Sequence, residues 1–206
     1  MALGNGDDTA FFSNTVTGSF IQALDGADSL LFNNLLAGST LNSGTGADTI
    51  RALRGVSGSS LSSDDGDDFI SLSGGLTNST IVGGSGADTV SIVGTVLGSS
   101  VLGVDDNDLI NVQGSALASS FDGGSGADTL SISGAMSGGT LSGNQGDDRL
   151  VVTGTASAAF VGAGQGNDYI SLGAVAGGTV FGGIGADTLV VAGDAAGSTL
   201  SLGTTS

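Results

Sequence analysis

Ten aspartates fall in one file at a spacing of twenty residues: Asp8, Asp28, Asp48, Asp68, Asp88, Asp108, Asp128, Asp148, Asp168 and, after a one-residue deletion, Asp187. Carboxylates at a constant spacing can do three kinds of chemistry. Paired, they can exchange protons in catalysis; singly, they can accept backbone N–H groups in turns; stacked, they can hold hard cations. Composition argues against the first. The chain has no His, Cys, Lys or Glu, so an acid, base or nucleophile would have to come from Asp pairs and hydroxyls on repetitive turns. The densest acidic group, Asp64, Asp65, Asp67 and Asp68, reads as extra cation binding or plain solvation. The lack of His and Cys also argues against zinc and copper sites.

The elements that must position this file share its period. A Gly stands two residues before the aspartate in every unit from Gly6 to Gly185 except at Asp106, a step that asks for a tight turn. Two residues after the aspartate comes an apolar file (Leu30, Ile50, Ile70, Val90, Ile110), and two later another (Leu72, Ile92, Val112, Ile132, Val152). That is the period-two alternation of a strand. Further files at Val56, Leu76, Val96 and Met136, and at Leu61, Ile81, Val101, Phe121 and Leu141, complete two or three short strands per unit. No apolar stripe recurs at helical spacing, and each of the many Gly would cost about 1 kcal/mol in a helix. The chain therefore reads as all-β, a parallel β-solenoid of ten twenty-residue coils. One solenoid domain spans 1–206, with coils at 1–20, 21–40, 41–60, 61–80, 81–100, 101–120, 121–140, 141–160, 161–179 and 180–199, and 200–206 opening an eleventh.

Solenoid coils stack about 4.8 Å apart. Carboxylates at that distance repel by about 1 kcal/mol in water and by several times that at an effective dielectric of about 20. Arg51, Arg54 and Arg149 are the only cationic side chains in a chain of net charge −17, too few to offset the file. A row of Ca²⁺ between successive turns would offset it, held by Asp oxygens and turn carbonyls, because Ca²⁺ accepts about six to eight oxygens in loose geometry while Mg²⁺ demands a strict octahedron. The alternative is a metal-free turn in which each Asp caps its own backbone N–H groups.

The segments GGSGADTVS (Gly83 to Ser91) and GGSGADTLS (Gly123 to Ser131) resemble the GGxGxDxUx nonapeptide of RTX calcium-binding proteins. The resemblance implies that the Gly-rich half of each unit is a calcium-holding turn and the remainder a short strand. It implies Asp88 and Asp128 as ligands together with the carbonyls of Gly84, Gly86, Gly124 and Gly126, and the same role for the other members of the file. Asp67, Asn107, Asp147 and Asn167, each directly before a file member, are candidate secondary ligands. Coils with an acid or amide there partly alternate with coils reading Ala-Asp-Thr, so strong and weak metal edges are expected to alternate unless the pattern is drift within a duplicated forty-residue ancestor. RTX β-rolls carry a motif in both turns of a coil. Here the opposite turn reads Gly-Ser-Thr without an acid, so metal is expected along one edge, as in the calcium solenoids of RTX adhesins and of some ice-binding bacterial proteins.

Together these features point to a calcium-stabilised extracellular structural rod that stacks head to tail into a filament or surface layer, with a rigid spacer of an RTX adhesin as the alternative. Head-to-tail stacking would bring Asp187 of one subunit to Asp8 of the next. Ice binding would need flat ranks of like residues, and the file Asn5, Asp25, Thr45, Asp65, Ser85 is irregular, although Ser and Thr at the opposite turn (Ser59, Ser60, Ser79, Thr80) are more regular. Phe11, Leu31 and Leu35 occupy outward strand positions that are polar or small later on (Ser71, Ser91, Asn111), which predicts a lateral contact; a partial cap with these groups folded inward is the alternative. The negative charge would repel nucleic acid and anionic membrane, and no apolar run is long enough for a transmembrane helix. The start Met-Ala-Leu-Gly-Asn-Gly lacks signal-peptide features, so export to the exterior or cell surface is expected by another route, such as type I secretion.

Overall fold

The computed structural model describes residues 1–203, all in a parallel β-solenoid without helices. A typical coil is built from three strands: Thr89–Val93, Val96–Leu97 and, after a Gly-Ser corner, Ser100–Asp105. The six-residue strands stack into one ten-stranded sheet in strict chain order, from Phe20–Asp25 to Thr199–Ser201. The shorter strands form a second sheet, in which residue n pairs with n + 20, as Ile70 with Val90 and Val90 with Ile110. Coils eight and nine depart from the three-strand pattern, because their two shorter strands fuse into Arg149–Ser157 and Tyr169–Ala176. The one-residue deletion is absorbed there: Val152 pairs with Leu172, but Thr155 pairs with Ala174.

Alternation along each strand sends every second side chain inward. Four apolar files fill the interior, exemplified in one coil by Ile81, Val90, Ile92 and Val96, all at most 1% exposed. At the N-terminal end Phe12 and Phe32 stack with ring centroids 4.6 Å apart. Phe11, by contrast, is 61% exposed, so the inward partial cap does not form: strand parity sends Phe12 to the core and Phe11 to solvent. Leu31 is half-buried and Leu35 exposed on the same outer surface.

The turn that precedes each file aspartate depends on close approach of backbones. A methyl group on Gly86, whose φ is +116°, would collide with the carbonyl oxygen of Gly66 in the coil below. The position four residues before the aspartate is also left-handed throughout, and it is non-Gly in alternate coils, at Leu24, Asp64, Val104 and Asn144. The forty-residue alternation thus recurs here in residue type, on a backbone that is left-handed in every coil.

Candidate metal centre

Each file aspartate enters the turn between the six-residue strand of one sheet and the four-residue strand of the other. From Asp28 to Asp168 the side chains are buried, 1–3% exposed; Asp8 and Asp187, in the end coils, are half-buried. A charged group so placed needs partners. The first partner is the coil before it. The backbone N–H of each file aspartate donates to Oδ1 of the aspartate one coil further on, from Asp8 on Asp28 to Asp168 on Asp187, at 2.6–3.1 Å. The carboxylate therefore does cap a turn, but the turn of its neighbour rather than its own, and the bond closes between coils instead of within one.

The second carboxylate oxygen has no such partner. Oδ2 of all ten file aspartates is buried and accepts no hydrogen bond. These oxygens face a file of small residues five positions earlier in each coil: Ala23, Ser43, Ser63, Gly83, Gly103, Gly123, Gly143, Ala163 and Gly182. A methyl group on Gly83 would collide with Asp88 Oδ2 and press on the carbonyl oxygen of Gly103 in the next coil. The same collision recurs at Gly103 with Asp108 Oδ2 and the Gly123 carbonyl, and at Gly143 with Asp148 Oδ2 and the Ala163 carbonyl. At Gly83, Gly103, Gly143 and Gly182 one carboxylate oxygen and the carbonyl fifteen residues later thus crowd the same spot, whereas at Ser43 and Ser63 a hydroxyl occupies it and donates to the carbonyl of Ser63 or Gly83. Among the described residues no three carboxylates converge on one point, so the donor set at each step is one carboxylate oxygen with backbone oxygens. All are hard donors, which fits Ca²⁺ and does not fit zinc or copper.

Electrostatics mark the same file. Burial raises the pKa of Asp68, Asp108 and Asp148 to about 7 and that of Asp88 to about 6, with neighbouring carboxylates adding to the rise and the N–H bond from the preceding coil opposing it. Asp28, Asp48, Asp128 and Asp168 are raised by burial as well. An empty file is therefore held against the anionic form, and a cation or a proton at Oδ2 relieves it.

The other predicted ligands lie elsewhere in the turn. Asp67, Asn107, Asp147 and Asn167 are exposed. Their Oδ1 atoms accept N–H groups from the following coil: Ala87, Ala127, Asn167 and Ala186, at 2.6–3.0 Å. This outer row runs in the opposite sense to the inner one; Asp67, Asn107 and Asn167 each cap an Ala in the next coil, whereas Asp147 caps Asn167. The Gly126 carbonyl points along the axis at Gly146, where a methyl group would strike it. Asp64, in the dense acidic group, is left-handed and accepts from Asn42 Nδ2 and Ser62 Oγ at 2.5 Å each. The small-residue file itself was not singled out by the sequence reading; its signal is that no residue from position 23 to 182 in it is larger than Ser.

No family profile matches the chain, and no curated protein matches it in sequence. The fold is similar to the crystal structure of a hyperactive, Ca²⁺-dependent, beta-helical antifreeze protein from an Antarctic bacterium. The two superpose with a TM-score of 0.61 at 18% identity, over 98% of this chain and 80% of the other. That likeness is one of architecture: both are β-helical solenoids.

Proposed function

We propose that the chain is a calcium-stabilised structural rod. The observation that carries this reading is the row of ten buried Oδ2 atoms without a hydrogen-bond partner, nine of them, from Asp28 to Asp187, with a Gly, Ala or Ser five residues earlier. Bound there, Ca²⁺ would supply positive charge between carboxylates and cross-link successive coils. Asp28 through Asp168 would hold it with carbonyls such as those of Gly103 and Gly123. The Ca²⁺ dependence of the structurally similar antifreeze protein supports the same metal.

The finer parts of the reading concern place and assembly. One carboxylate per step gives an affinity of about 10⁻⁴ to 10⁻³ M, suited to extracellular calcium, so the rod is assigned to the exterior or the cell surface. The rod stacks head to tail with further copies of itself in a filament or surface layer, or serves as a rigid spacer of an adhesin. Ice binding is less well supported. The outward file Thr40, Ser60, Thr80, Ser100, Ser120 is regular but is interrupted by Phe20 and Phe160, and the next file, Gln22, Asn42, Ser62, Val82, Leu102, is mixed.

Isothermal titration with CaCl₂ and electron microscopy of the same samples test the reading. It predicts several calcium ions per chain and thin fibres one solenoid wide that shorten in chelator. Calcium binding with a monodisperse monomer at high protein concentration would favour the spacer over the filament. No calcium uptake would overturn both.

A further inference from the structure

We propose that coils six to ten carry a groove that binds a neutral glycan chain. This is independent of the calcium reading. The groove, about 630 Å³, runs along the solenoid from Val104 to Gly183, a span of four coil steps or about 19 Å. Its floor is Gly124, Gly164 and Gly183, where side chains would collide with the carbonyl oxygens of Val104, Asn144 and Gly164. The same file carries Val104 before these glycines and Asn144 between them, so the floor is stepped and presents the Asn144 amide to a ligand. One rim is the in-register row Ser125, Gln145, Gln165 and Ile184, with both glutamines exposed.

The other rim is aromatic. Phe181 is 43% exposed, and its register partner is Gly162. The ring of Phe160, 44% exposed, lies over Gly162, so a methyl group there would meet it at 2.7 Å. Phe181 thus lines the groove itself, and the Phe160 ring stands over the neighbouring Gly162, beside the lining, in a chain with only nine aromatic residues.

Charge selects among ligand classes. The rim file carries Asp25, Asp65 and Asp105 in the N-terminal coils but Ser125, Gln145 and Gln165 here. Asp105 stands at the mouth and accepts the Ser125 hydroxyl at 2.8 Å, and half-buried Asp122 accepts Asn144 Nδ2. The lining itself holds no Lys, Arg or carboxylate. An anionic ligand would find no counter-charge on a molecule of net charge −17, and the two nearby carboxylates, Asp105 and Asp122, are outside the lining and already accept hydrogen bonds. A purely apolar ligand would strand the glutamine amides and floor carbonyls. A ligand with flat C–H faces for the rings and hydroxyls for the amides and carbonyls satisfies every surface.

The test is affinity gel electrophoresis of the calcium-loaded protein in gels containing dextran, laminarin, galactomannan or hydroxyethyl cellulose, with alginate and dextran sulfate as anionic counterparts. At least one neutral polymer is expected to retard the protein, and neither anionic polymer is. Phe160→Ala, Phe181→Ala and the double change Gln145→Glu, Gln165→Glu should each reduce retardation at least about tenfold, with circular dichroism unchanged. Phe20→Ala, an exposed ring in the same file at the opposite end, should leave it intact. Retardation by none of the four neutral polymers, equal retardation by the anionic ones, or insensitivity to the three groove variants would overturn the proposal.

Discussion

The two turns of each coil solve the same problem with different residues. At one, the N–H of each file aspartate donates to the carboxylate of the next coil. At the other, the N–H of Ser19, Ser39, Ser59, Ser79 and Ser99 donates to the hydroxyl of the serine one coil on, at 3.1–3.2 Å. The serine ladder is complete in itself. Each Oγ also donates to the carbonyl two residues earlier, as Ser79 does to Thr77 and Ser99 to Leu97 at 2.8 and 2.9 Å. The aspartate ladder is not: one oxygen of each pair is left over. A hydroxyl placed in the first turn would satisfy the backbone as well as a carboxylate, so the carboxylates serve something besides the turn.

The serine ladder also stops where the aspartate ladder continues. Coils seven to nine replace the serine with Gly139, Ala159 and Gly178, so between those coils the serine turn is no longer tied through its hydroxyls, while the aspartate turn keeps its inner file and the outer bond from Asn167 N–H to Asp147. This divides the molecule into an N-terminal half laced at both turns and a C-terminal half whose serine turn is unlaced.

Removing one rung from each ladder separates them most sharply. In calcium, Asp128→Ala should cost about 3–5 kcal/mol, since it strands the buried N–H of Asp108 and removes a cation ligand; Ser79→Ala should cost about 1–2 kcal/mol. In chelator the Asp128 penalty should shrink and the Ser79 penalty should not. Denaturant melts of both variants, with and without calcium, give the comparison; equal behaviour would remove the distinction between the turns.

A smaller effect should appear along the axis. Hydrogen exchange in chelator should show the amides of coils seven to nine less protected than those of coils two to six, by about tenfold or more. Uniform loss would mean that the serine ladder contributes nothing.

The aspartate turn should also respond to pH in a sense opposite to an ordinary ion-paired carboxylate. The folded-state pKa values of Asp68, Asp88, Asp108 and Asp148, about 6 to 7, lie above the ordinary value of 3.8. The calcium-free folded chain then binds protons that the unfolded chain has lost. Its relative stability is fully present below pH 3.8 and is lost as the pH rises through 6 and 7. With calcium the trend should invert, because the cation needs the ionised form. Thermal melts at pH 5 and pH 8 in both conditions check the sign.

The smallest change is expected at the outer row. Asp67→Ala removes an exposed cap on Ala87 and should move the melting temperature by no more than about 2 °C, alike in calcium and chelator.

The period of the aspartate file and the parity of the apolar files made the solenoid legible, since Leu30, Ile50 and Ile70 can share a core only if successive coils stack in register. The period set Asp68 apart from Asp67, but neither the direction of each hydrogen bond nor the outward cap that Asp67 makes on Ala87 was legible. Adjacent residues on a turn face opposite ways, and spacing alone does not say which enters the interior. The small-residue file escaped for a related reason. Gly84 and Gly86 stand out as turn glycines, whereas Gly83 matters only for what it leaves room for, and its equivalents Ser43 and Ala163 hide the file from a search for Gly.

The most direct test of the central claim, that the leftover oxygens take calcium, is a thermal melt by circular dichroism at pH 7.5 in millimolar CaCl₂ and again in excess EGTA. Several filled sites, each contributing about 0.4–1.4 kcal/mol in about 1 mM calcium for a Kd of about 10⁻⁴ to 10⁻³ M, should raise the melting temperature by about 10 °C or more for a chain of this length. A melt that is the same in both buffers would contradict the account.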